Sequence, residues 1–299
     1  MIVQHVPVMV KEVIESLRVQ SDGVYVDATL GLGGHASTIL NRTDFKGRVI
    51  GIDRDKESLA VAENNLCKYK DQCIFVHEDF RNIDVVLKEM KVAQVDGVVL
   101  DLGISSFQLD NPQRGFSLRN EGPLDMRMNQ GKDVSAFDLI NSLSEKEIST
   151  LLKEYGQERC HQRIARNIVK QRSYKPLETT QELTELVIKS MPHMKRSRER
   201  IHPATRTFQA FRIAVNKELE AIEIVLDKCV QIMKVGGRII VISFHSLEDK
   251  IVKNRFRHYA KSKDLNIVFK KPLRPSEEEV QENPRARSAR LRVAERIKG

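Results

Sequence analysis

Apolar runs alternating with helix-length amphipathic stretches fill the first hundred residues. Residues 24–27, 48–52, 73–77 and 95–100 are short, apolar and β-branched, and read as strands. Residues 34–40, 56–66 and 83–90 carry helical spacing between them. Strands alternating with helices of this length predict parallel βαβ units with right-handed crossovers. The pattern then changes. Residues 111–128, rich in Gly, Pro and Arg, read as a loop, and 135–143, 145–168 and 180–189 as helices with no strand among them. One long helix is expected over 206–233, stopped by Gly236 and Gly237. A strand at 238–243, a helix at 247–259 and short strands at 266–269 and 291–294 follow. The expected architecture is an α/β Rossmann-like core made of residues 1–110 and 206–299, interrupted by an all-helical insertion over 111–205.

The glycine turn between the first strand and the first helix draws the chemistry to one place. It reads Asp27-Ala28-Thr29-Leu30-Gly31-Leu32-Gly33-Gly34-His35. Glycines there let a ligand approach the backbone, and the helix start offers free N–H groups. Gly31, Gly33 and Ala36 also satisfy the looser dinucleotide fingerprint, so the loop alone leaves NAD and S-adenosylmethionine both open. Asp53, ending the second strand, is placed to accept hydrogen bonds from ribose hydroxyls, with capping of the next helix as the alternative. Asp79 and Phe80 are candidates to flank an adenine ring, and Asp101, ending the fourth strand, faces the reacting part of the cofactor. A dehydrogenase needs an acid or base to handle the hydride, and no Tyr-x-x-x-Lys is present, which favours the methyltransferase.

Composition and charge add a partner. Hydrophobic residues make up 40% and charged residues 30%, the balance of a globular chain. No window approaches the ~18 apolar residues of a membrane span, and the first ten residues lack the basic-then-apolar order of a secretory signal. Cys67, Cys73, Cys160 and Cys229 form no C-x-x-C pair and are expected to be reduced, in the cytoplasm. His5, His35 and His202 are too dispersed for a metal site, and none is expected. The net charge is +9, and residues 159–212 alone hold thirteen Lys/Arg against four Asp/Glu, a surplus equal to that of the whole chain. Nucleic acid is the polyanion this implies, and a solvated basic face the alternative. Arg159, Arg163, Arg166 and Lys170, spaced 4, 3 and 4 apart, are expected to share one helix face beside an inward stripe of Cys160, Ile164 and Ile168.

Several segments together resemble the MraW (RsmH) family of bacterial small-subunit rRNA cytosine-N4 methyltransferases. They are Gly33-Gly34-His35, Gly51-Ile52-Asp53-Arg54-Asp55, Asp96 through Asp110, Arg114-Gly115-Phe116-Ser117, Pro123 through Met128, His202 through Ala210, Ser243 through Asp249, and Asn283 through Ser288. They run in order nearly end to end. The resemblance implies a class I methyltransferase core with a helical insertion, S-adenosylmethionine as cofactor, and 16S rRNA of the small ribosomal subunit as partner. The implied target is N4 of a cytidine in the decoding region; a homodimer is left open. It also implies cofactor contacts from Gly33, Gly34, His35, Asp53, Phe80, Asp101 and Gln108, with Asp101 the candidate for catalysis. Phe107 departs from the proline common at that position of the family, in the segment that carries Gln108. A cytosine-C5 mechanism would need a nucleophilic cysteine near the fourth strand, and none lies between Cys73 and Cys160. Methylation of a small molecule or protein, and RNA binding without catalysis, are the competing readings. The intact glycine loop and the basic insertion argue against both.

Overall fold

The computed structural model describes residues 7–42, 44–131, 134–192 and 201–298; His5 lies outside them. The chain divides into two compact units, one comprising Met1–Ser105 with Leu219–Gly299, the other Ser106–Glu218.

The first unit is a seven-stranded sheet in the order β3-β2-β1-β4-β5-β7-β6. Its strands are β1 (Val24–Asp27), β2 (Arg48–Asp53), β3 (Cys73–His77), β4 (Val95–Asp101), β5 (Met233–Ser243), β6 (Leu265–Ile267) and β7 (Arg290–Arg296). The first five pair in parallel, while β7 runs antiparallel to both β5 and β6. This is the Rossmann-like α/β sheet that the sequence predicts. Both faces of the sheet are covered, which is why its parallel strands are apolar throughout rather than alternating. Val98, Leu100, Ile239 and Val241 pack on one face with residues of the helices Ile83–Glu89, Glu218–Ile232 and Ser246–Lys261. Val99, Ile240 and Ile242 pack on the other with Val10–Leu17, Gly34–Leu40 and Lys56–Asn65. No helix among the described residues is long and apolar enough to cross a membrane.

An ion cluster ties the last strand to the helix after β5. Asp249 Oδ1 accepts from Arg292 Nε at 2.6 Å and Asp249 Oδ2 from Arg290 Nη1 at 2.9 Å. These arginines hold the Asp249 carboxyl below its ordinary range against the burial that would raise it.

Three departures from the expected elements have local causes. The helix expected over 145–168 is two, Glu145–Glu154 and His161–Arg172. A Cβ at Gly156 would stand 2.5 Å from the Arg206 carbonyl oxygen, and Gln157 is left-handed at φ 50°, so the chain turns there. The helix expected over 206–233 is also two, Thr205–Asn216 and Glu218–Ile232, because Lys217 is left-handed at φ 49°. Asn216 at this break holds the 126–128 loop, accepting from Met128 N–H at 2.9 Å and donating to the Met126 carbonyl at 2.7 Å. Arg212 and Glu218 bridge the break with two hydrogen bonds of 2.9 Å. Gly236 and Gly237 stop no helix; they sit inside β5, where its register against β4 shifts between Val95 and Gly97.

Replacing Asp249 with Ala strands two arginines, one of them buried. A loss of roughly 3 kcal/mol in unfolding free energy is expected, measurable by urea titration. A loss below about 0.5 kcal/mol, the level of an ordinary surface substitution, would show that the cluster does not hold β7 in place.

Candidate active site

Parallel strands present their carboxyl ends along one edge, and three of those ends are aspartates: Asp27 on β1, Asp53 on β2 and Asp101 on β4. The glycine loop runs between them. Leu30 N–H donates to the Ile52 carbonyl at 3.0 Å and Ala28 N–H to the Val99 carbonyl at 2.9 Å, so the loop prolongs the sheet before turning. Gly31 and Gly33 then take φ of 52° and 85°, the left-handed region that suits glycine. A Cβ at Gly33 would meet Leu66 at 2.7 Å, whereas one at Gly31 would meet nothing closer than 3.9 Å. The space beside Gly33 is closed by Leu66, while a Cβ at Gly31 would make only ordinary contacts, so Gly31 is required by its φ alone.

Asp53 braces this turn. Its Oδ2 accepts from Gly31 N–H at 2.7 Å and its Oδ1 from Asp55 N–H at 2.8 Å. Capping of the following helix, the alternative role for Asp53, belongs to Asp55, which accepts from Glu57 and Ser58 N–H. Burial raises the Asp53 pKa to about 6, although both N–H donors pull it down.

His35 lies buried between the other two aspartates. Its Nε2 is 3.5 Å from Asp101 Oδ2. Burial alone would lower the His35 pKa, but Asp101 and then Asp27 outweigh it and favour the imidazolium. Burial in turn raises Asp27 to about 6, with the His35 charge opposing. Asp27 Oδ2 and Asp101 Oδ1 are buried with no hydrogen-bond partner among the described residues. The backbone N–H of Asp101 donates to Thr29 Oγ1 at 2.6 Å. Asp27 and Thr29 were in the sequence segment but without a role; an acidic residue ending β1 just before the glycines was the available signal.

The segment before the helix Val10–Leu17 covers this loop. Gly34 lies so close to Pro7 that a Cβ there would stand 2.8 Å from it. Met9 N–H donates to Glu279 Oε1 at 2.6 Å, and the Glu279 charge adds to the upward push on His35.

The remaining expectations fall as follows. Phe80 is half-buried in the turn Phe80–Asn82 beyond β3. Its neighbour Asp79 is taken by arginines, Arg81 at 2.9 Å and Arg54 at 3.6 Å, so an adenine contact from Asp79 competes with them. Gln108 is buried on Ser106–Asp110, within the second unit. Arg163, Arg166 and Lys170 are exposed on His161–Arg172 while Ile164, Ala165 and Ile168 are buried; Arg159 is exposed but precedes the helix. None of the four cysteines is in a disulfide, and burial pushes the Cys73 and Cys229 thiols up to about 12, which leaves them protonated at neutral pH.

Residues 2–297 match the family described as the MraW methylase family. The chain is similar to proteins named Ribosomal RNA small subunit methyltransferase H. Identity is 46% to that of Halothermothrix orenii, over 98% of this chain and 99% of the relative. It is 47% to that of Carboxydothermus hydrogenoformans, over 98% of each. For Clostridioides difficile it is 45%, over 98% of this chain and 99% of the relative.

Because folding holds the Asp27 pKa above its unfolded value near 3.8, the protonated carboxyl favours the native state. That advantage is complete in acid and is lost as pH rises through about 6. Asp27→Asn removes the titration, so the variant is expected to gain stability relative to the parent between pH 4 and 7, by on the order of 2 kcal/mol. Denaturant unfolding of both proteins at the two pH values checks this. A difference that does not change with pH would show that Asp27 is not driven up by burial.

Proposed function

The chain belongs to the MraW methylase family, and from that premise we propose that it methylates N4 of a decoding-region cytidine in 16S rRNA, with S-adenosylmethionine as the methyl donor. The observation carrying the proposal is Asp101 Oδ1, a buried acceptor without a partner among the described residues, at the strand end beside the glycine loop. The names of the relatives support the small-subunit rRNA substrate. The choice of the cytosine amine is supported by the run of family segments, and by the lack of a cysteine between Cys73 and Cys160, where the covalent route of a C5 enzyme would need one.

The residues present fit the cofactor. An ionised carboxylate offers about four lone-pair positions, so Asp53 keeps capacity for ribose hydroxyls after accepting from Gly31 and Asp55. Gly33, Gly34 and His35 would line the cofactor with backbone; the N–H groups of Gly34 and His35, in the first turn, lack intrahelical acceptors, while that of Gly33 is taken by the Leu30 carbonyl. Phe80 would lie along the adenine. When bound, S-adenosylmethionine supplies a sulfonium whose methyl is electrophilic.

Cytosine N4 is a weak nucleophile because its lone pair is delocalised into the ring. Asp101 Oδ1 is suited to accept one amine hydrogen, which turns the nitrogen and localises its lone pair. Correct positioning of this kind is worth several kcal/mol of barrier. His35, favoured as imidazolium between Asp27 and Asp101, holds the Asp101 carboxylate from its other oxygen. The target base must leave its stack to reach such a group. Arg159, Arg163, Arg166 and Lys170 are proposed to bind the surrounding phosphates.

The direct experiment is transfer of labelled methyl to 30S subunits lacking the modification, followed by nucleoside analysis. N4-methylcytidine is expected; label at a carbon, a ribose or a protein would overturn the proposal. Asp101→Asn should lower the single-turnover rate at least tenfold with little change in cofactor affinity. Normal rate and affinity together would remove Asp101 from the reaction. For the basic face, Arg163→Gln, Arg166→Gln and Lys170→Gln combined should make the salt dependence of subunit binding shallower by roughly 2 to 3 in log–log slope. An unaltered slope would assign those side chains to a solvated surface.

A further inference from the structure

The most exposed large apolar side chain among the described residues is Tyr174, at 79%. It follows the basic helix His161–Arg172 directly. An aromatic ring this open is unremarkable on a loose loop, but here the backbone is tied on both sides. Tyr174 and Lys175 N–H both donate to the Gln171 carbonyl, at 3.0 and 3.1 Å, and Ser173 Oγ donates to the Lys170 carbonyl at 2.8 Å. Arg172 donates to the carbonyls of Ile140 and Leu143. On the far side, Leu177 N–H donates to Asn141 Oδ1 at 3.1 Å, and Asn141 Nδ2 returns a bond to the Leu177 carbonyl at 2.9 Å. The braced turn therefore fixes the backbone that carries the ring, and a tyrosine has only two side-chain torsions to order on binding.

The charges around it are not equivalent. Arg172 is committed to carbonyls of its own unit, and Lys175 to Glu182 at 3.1 Å and Glu178 at 3.7 Å. Arg166 faces Glu145 at 3.7 Å. Arg163 and Lys170 have no carboxylate partner among the described residues. Positive charge therefore leads away from Tyr174 along the helix toward Lys170 and Arg163, while Glu178 and Glu182 close the other direction. The residues flanking the ring, Gln171, Ser173, Lys175 and Pro176, are exposed and build no apolar patch, which disfavours a protein partner.

We propose that Tyr174 is a stacking platform for an unpaired base of the RNA substrate, whose backbone continues past Lys170 and Arg163. This rests on the rRNA reading above and names a recognition residue within it. Base–aromatic stacking accepts any base, so the platform grips a single-stranded segment without reading its sequence.

The chain contains no tryptophan, so Tyr174→Trp introduces a unique fluorophore that retains the stacking face. Its emission should be quenched when unmodified 30S subunits are added, with affinity within about twofold of the parent. Tyr174→Phe should bind like the parent, whereas Tyr174→Ala and Tyr174→Leu should bind on the order of tenfold more weakly, with cofactor affinity unchanged. Unquenched emission on a saturating subunit that the parent protein methylates would overturn the platform and leave the rRNA reading standing. A Leu variant as tight as the parent would overturn it in favour of an apolar protein contact. If the parent transfers no methyl to rRNA, the functional reading falls and the platform with it.

Discussion

Negative charge gathered at one edge of a parallel sheet is the constraint on which the first unit depends. β1, β2 and β4 each end in an aspartate, and the sheet order puts those ends side by side. Each carboxylate loses hydration when buried, and like charges nearby worsen the cost. The fold answers with unlike devices: backbone N–H groups of the glycine loop for Asp53, and the His35 imidazole for Asp27 and Asp101. The compensation is incomplete, and one oxygen on each of Asp27 and Asp101 stays unpaired among the described residues. An edge left short of donors suits a ligand that brings its own.

The second unit solves a different problem with similar means. Its helix ends rely on side chains in reciprocal capping boxes at Ser135, Ser144 and Thr179. Its long loop is pinned by Asn216 and by Arg114, a buried guanidinium that donates to the carbonyls of Arg127 and Met128 at 3.0 Å. Part of the basic surplus seen in composition is thus structural. Arg114, Arg172 and Arg212 hold the unit together, whereas Arg163 and Lys170 stand on the open face of His161–Arg172 with no carboxylate partner among the described residues.

The strands of the core were legible because burial on both faces leaves an unbroken apolar signature, and Asp53 and Asp101 because strand ends could be counted. What was illegible has physical reasons. Lys217 breaks a helix in a left-handed conformation that lysine rarely adopts, so no glycine marked the stop. The helix Val10–Leu17 starts after left-handed Met9 with no side-chain cap, and so lacked the usual N-terminal signal. The contact between His35 and Asp101 joins the glycine loop to the end of β4, which no local pattern reports. Tyr174 reads as an ordinary tyrosine until its exposure and its braced backbone are seen together.

The bond from Met9 to Glu279 joins positions 270 residues apart, and through Pro7 it bears on the glycine loop. Synthesis runs from the amino end, so the loop and the strands around it are made long before their distant latch. A nascent chain that has reached β5 already carries every strand-end aspartate of the edge and most of the apolar residues that bury Val8 and Met9, but the acceptor for the Met9 N–H is still missing. The contact over the glycine loop is thus closed only once residue 279 has been made, so the two ends of one hydrogen bond are separated in time as well as in sequence.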